Sequence, residues 1–279
     1  MPIDLIFFKY IIQEGLKIPR IYNLTGSSPG LLLALYNKPF LVFEPTEERA
    51  EELHKDINFF RETLKRDPVL FLPESNGPSL SGQRAKTIYY LKKSDSLVSS
   101  FKNLHSPLWS RKELEKVILP IEHGTETHRA EIEKRLQGMG YERVSLVVEK
   151  GEYSQRGWIL DVFPSTEDNP LRIEFFGDEI ESIKTFDVDT QRSIDDISRS
   201  LIFPAKDPAS GATLSELISH AKYFFSDLIQ ERDLIPSENI FLSKYSIKGD
   251  GYDAGLLSIK GLGIIPEERK YIDELPQKI

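Results

Sequence analysis

At 279 residues, with 39% hydrophobic and 29% charged side chains, the chain is long enough for two domains with real cores and has an ordinary soluble globular composition. It contains no cysteine, which excludes disulfides, thiolate zinc sites and cysteine nucleophiles and fits a reducing cytoplasm. The formal net charge of −8 is concentrated: residues 121–200 hold 18 acidic against 10 basic side chains, a poor match to a phosphate backbone and a better one to a protein partner.

Residues 1–15 are apolar but interrupted by Asp4 and Lys9, and read as a first helix packed on the core. No run approaches the roughly 18 apolar residues of a membrane span. Residues 18–35 read as strand, Gly/Ser loop and helix, the layout of a phosphate-binding loop. Set against G-x-x-x-x-G-K-[ST], however, Asn23 stands at the first glycine, Ser28 at the second, Pro29 at the lysine and Gly30 at the hydroxyl position, with Gly26 between. The lysine for the phosphates and the hydroxyl for magnesium are both missing, so the expectation is a degenerate, non-functional loop and no cofactor. Lys38–Glu44 reads as a buried strand, 45–64 as a helix capped by Thr46, Val69–Leu72 as a strand, 76–82 as a loop, Gln83–Lys93 as a helix and 95–101 as a strand. Strand and helix alternate, which predicts α/β architecture with a largely parallel sheet.

The character changes near Leu119. A helix over 127–139 and a strand over 141–150 lead into GEYSQRGWILDVFPSTEDNPLRIEFFGDEIESIKTFDVDTQRS, residues 151–193, read as three short antiparallel strands over 158–163, Leu171–Phe176 and Ile180–Phe186. In the middle strand Leu171, Ile173 and Phe175 share one side, and Arg172, Glu174 and Phe176 the other. An arginine and an aromatic standing together about 13 Å apart on a solvent face are the residue types of interface hot spots. The plainer alternative packs Phe176 under the Gly177 turn and pairs Arg172 with a nearby carboxylate. After Pro204 a helix is expected over 214–231.

RGWILDVFP followed by LRIEFFGDEIESIKTFDVDTQRSI resembles the middle domain of bacterial transcription-repair coupling factors (Mfd) and, more distantly, the matching domain of the excision-repair protein UvrB. Residues 261–275, GLGIIPEERKYIDEL, carry a weaker likeness. The resemblance implies a degenerate P-loop NTPase-like parallel α/β body, formed by domain 1A over 1–118 and domain 1B over 205–279. An inserted α+β domain resembling UvrB domain 2 spans 119–204. It implies UvrA as partner, with Arg156, Arg172 and Phe176 at the UvrA-binding positions, and RNA polymerase and double-stranded DNA as partners of regions outside this chain. It also implies that the long DNA-clamping hairpin of UvrB is missing here. Trp158 departs from the family pattern, which usually carries a small residue there.

Other chemistry is poorly supported. The five histidines show no metal-pair spacing, no G-x-S-x-G is present, and Asp178, Glu179, Asp195 and Asp196 fall in turns or helix starts. No catalytic or metal residue is assigned. The alternatives are a nucleotide-binding module, which needs the Gly26 loop to hold ATP, and a DNA-binding module, which needs a basic stripe with interleaved aromatics.

Overall fold

The computed structural model describes residues 20–218, 221–226, 239–242 and 252–259. The expected helix over 1–15 and the segment 261–275 lie outside them. The chain divides into two compact units: Met1–Leu72 with Lys92–His105 and Ile218–Ile279, and Pro73–Leu91 with Ser106–Leu217.

The first unit is the expected α/β layer. Its strands are β1 (Arg20–Gly26), β2 (Phe40–Glu44), β3 (Leu70–Leu72), β4 (Leu97–Ser100), β13 (Lys222–Ser226), β14 (Asn239–Leu242) and β15 (Tyr252–Ile259). They form one parallel sheet in the order β15-β1-β14-β13-β2-β4-β3. Phe40, Leu41, Val42 and Phe43 are all buried, the continuous apolar run of a strand covered on both faces. Helices α1 (Ser28–Leu35) and α2 (Glu47–Thr63) supply the cover, with Leu31–Leu35, Ile57 and Phe60 in the core. α2 starts where its sequence says: the Thr46 hydroxyl accepts from the Arg49 amide, and Glu47 and Glu48 fill the first turn.

The expected helix over 214–231 is corrected. Among the described residues of that span only α6 (Leu214–Leu217) is helical, and Lys222–Ser226 is a strand between β2 and β14. Tyr223, Phe224 and Phe225 are aromatics suited to a pleated surface, and Phe225 stacks on Phe43 at 5.3 Å between ring centroids. Sheet packing therefore overrides any local helical bias.

The second unit carries helices α3 (Gly77–Tyr90), α4 (Arg111–Val117) and α5 (Arg129–Gly138) and a ribbon of β5 (Leu119–Glu122) with β12 (Arg199–Ile202). Its main sheet runs β11-β10-β9-β8-β7-β6, antiparallel except for the β6–β7 pair. The strands are β6 (Glu142–Arg143), β7 (Glu152–Arg156), β8 (Ile159–Val162), β9 (Leu171–Phe176), β10 (Glu179–Phe186) and β11 (Ser193–Asp196). α3 begins six residues before the expected position, because Pro78 stands in its first turn, where a missing N–H costs nothing. The expected strand over 141–150 shrinks to β6. The Glu152 carboxylate accepts from the amides of Val148 and Glu149, both at 2.8 Å, and folds that stretch into a loop. Among the described residues no helix is long and apolar enough to cross a membrane.

Candidate functional site

Two hairpin turns define one end of the main sheet. Gly157 and Trp158 join β7 to β8, and Gly177 and Asp178 join β9 to β10. In each the glycine has positive φ, 57° and 64°, at the first central position, the signature of a tight turn matched to strand twist. The β7–β8 register is unbroken from Tyr153–Val162 to Arg156–Ile159, so the bulky Trp158 is accommodated within the turn itself. Arg129 of α5 lies over its ring at 4.3 Å and donates to the Gly157 carbonyl.

β8 and β9 each bury one side. Leu160, Val162, Leu171, Ile173 and Phe175 join Ile132 and Leu136 of α5 in a single core. The opposite side carries Arg156, Asp161, Arg172, Glu174 and Phe176, because register pairs Asp161 with Arg172 and Ile159 with Glu174. The alternation expected for Leu171–Phe176 is thus observed, and Phe176 stands outward at 74% exposure rather than under its turn.

Arg172 shares that side but is drawn inward, its side chain 16% exposed. Its Nε and Nη2 donate to the two carboxylate oxygens of Asp161 at 2.8 and 3.0 Å, and Nη1 donates to the Gln191 carbonyl at 3.1 Å. Its guanidinium also lies 4.6 Å from the centroid of buried Phe186. The bonds to Asp161 hold Arg172 further above its already high range. Arg156 reaches the same carboxylate through Nη2, at 2.8 Å to Oδ2, yet its side chain stays 53% exposed. Beside them, Glu174 accepts from Ser182 Oγ at 2.6 Å and Lys184 Nζ at 3.0 Å. The Ser182 hydroxyl first, and then Lys184, hold it below the usual carboxylate range.

The T-Q-R-S segment has a structural reason here. Asp187 accepts from the amide and hydroxyl of Thr190, and Gln191 takes a left-handed backbone (φ 57°) that turns its carbonyl toward Arg172.

Asp161 itself is 1% exposed and was not singled out from the sequence. The available signal was a lone carboxylate at the centre of the run Ile159–Val162: a buried charge in a sheet demands cationic partners.

The residues expected to form a degenerate loop lie in the first unit. Asn23 is within β1, Gly26 ends it with φ 59°, and Ser27 and Ser28 are buried. Pro29 stands in the first turn of α1. Gly30 faces α2 so closely that a Cβ there would fall 2.6 Å from that of Asp56. Burial pushes the Asp56 carboxyl up, opposed by the Ser27 hydroxyl. Among the described residues there is no group of three or more His, Cys, Asp or Glu able to hold a metal ion.

Comparison with known proteins fits this geometry. Residues 119–207 match the family described as the UvrB interaction domain, and that segment holds the whole face of Arg156, Asp161, Arg172 and Phe176. Over a longer span the chain is homologous to transcription-repair-coupling factors. It is 30% identical over 220 residues to that of Bacillus subtilis, covering 72% of this chain and 18% of that protein. It is 30% identical over 199 residues to that of Escherichia coli, covering 66% and 17%. UvrABC system protein B of Clostridium botulinum is 30% identical over 222 residues, 70% of this chain and 33% of that protein. The chain therefore spans less than a fifth of the coupling factors it matches.

Proposed function

We propose that this chain is the UvrB-like, non-catalytic module of a transcription-repair coupling factor, and that it recruits UvrA through the face bearing Arg156, Arg172 and Phe176 during nucleotide excision repair. RNA polymerase and duplex DNA would be engaged by regions outside these residues. The observation that carries the reading is Phe176, a large aromatic 74% exposed on the same side of the sheet as the half-exposed Arg156, within a segment that matches the UvrB interaction family. Exposed aromatics are among the residue types that anchor interfaces, and an arginine on the same side supplies charge-assisted bonds around such an anchor. A body without nucleotide chemistry is supported by Pro29 at the lysine position and by the close packing of Gly30 on Asp56.

Purified UvrA titrated with the chain should bind saturably, and purified UvrB, presenting the matching domain, should compete. Absence of binding, or binding that UvrB leaves untouched, removes the proposal.

A further inference from the structure

The buried carboxylate of Asp161 is shared by two guanidiniums, those of Arg156 and Arg172, which both donate to its Oδ2. Arg172 grips it by two parallel bonds and is itself fixed by the Gln191 carbonyl and the Phe186 ring. Asp161 therefore has one orientation, set from the Arg172 side. Its Oδ2 then fixes Arg156 through a single nitrogen, leaving a side chain that is more than half exposed.

We propose that Asp161 is the positioning residue of the docking face: it holds Arg156 in the orientation in which the exposed part of its guanidinium meets a carboxylate or carbonyl of the partner, with Arg172 as the brace rather than the contact. This rests on the reading of the face as a UvrA-docking surface. The physical basis is pre-organisation. A free surface arginine surrenders its rotamer freedom on binding, whereas one already held by a buried carboxylate does not. The arrangement also divides two arginines of like type into different roles, since Arg172 has its fork and a further nitrogen engaged within the chain.

The test is a double-mutant cycle on UvrA affinity in the full chain, crossing Arg156→Ala and Phe176→Ala with Asp161→Asn, and with Asp161→Ser if the first variant does not fold. Arg156→Ala should weaken binding about thirtyfold in the unaltered background but less than threefold when Asp161 is replaced, while Phe176→Ala costs the same factor in both. An equal cost of Arg156→Ala in both backgrounds overturns the proposal and leaves the docking reading intact. Failure of the unaltered chain to bind overturns both. A measurement on the free, unaltered chain needs no variant: the Arg156 guanidinium N–H groups should show hindered rotation by NMR, and free rotation overturns the proposal.

Discussion

Replacing Arg172 by alanine should cost the second unit about 3 kcal/mol of stability, although the side chain belongs to a face proposed for binding. Asp161 is 1% exposed and receives three charge-assisted bonds, two of them from Arg172. Removing that arginine leaves a buried carboxylate with a single bond from Arg156. Breaking a buried ion pair from one side costs roughly 3–5 kcal/mol, and the surviving Arg156 bond places the expectation at the lower end. Arg156→Ala is the contrasting case. Its side chain is 53% exposed, so water replaces most of what it loses, and the cost should stay under about 1 kcal/mol. Both tryptophans of the chain, Trp109 and Trp158, lie in this unit, so urea unfolding followed by tryptophan emission reports on it selectively. A loss below about 1 kcal/mol for Arg172→Ala, or equal losses for the two arginines, would refute the assignment of Arg172 as the brace of a buried charge.

Three further outcomes are expected. Burial pushes the Glu44 carboxyl up to about 7, against the Ser226 hydroxyl and Arg49. The folded chain therefore binds this proton more tightly than the unfolded one, whose glutamate titrates near 4.3. Stability contributed here is full below about pH 4.3 and is lost as pH rises to about 7, amounting to roughly 3–4 kcal/mol. Glu44→Gln should remove that decline when unfolding is compared by circular dichroism at pH 5 and pH 8, and an unchanged pH dependence would contradict it. Gly82→Ala should destabilise the second unit by about 1–3 kcal/mol, because the new Cβ would fall 2.2 Å from Ser165 Oγ and 2.4 Å from its Cβ. Adding Ser165→Gly should recover part of the loss, and simple additivity of the two changes would exclude the contact as its cause. Phe176→Ala should leave the unfolding curve within about 0.5 kcal/mol of the unaltered chain, since this ring is exposed.

Much of this was legible in the sequence where a strict period acts. Two-residue alternation placed Leu171, Ile173 and Phe175 inward and Phe176 outward, and the Gly177-Asp178 pair marked the turn that holds it there. The apolar run Phe40–Phe43 announced a doubly covered parallel strand. What escaped was set by distant partners. Lys222–Ser226 is a strand because Phe43 and its neighbours receive it, and the aromatic run Tyr223–Phe225, the local sign of a strand, is too short to set the boundary against the expected helix. The stretch 144–150 is a loop because a glutamate beyond it, Glu152, takes its amides. Arg172 was correctly placed on the outer side, yet its inward commitment depends on Asp161 from the neighbouring strand and Gln191 from a left-handed turn. Alternation names a face; it does not say which of its charges are already paired.

The central claim is met most directly by calorimetric titration of purified UvrA with the chain and with its Phe176→Ala variant. Saturable binding by the chain is expected, with about thirtyfold weaker binding by a variant that unfolds as the unaltered chain does. Equal affinity of the two, or no binding by the unaltered chain, would contradict it.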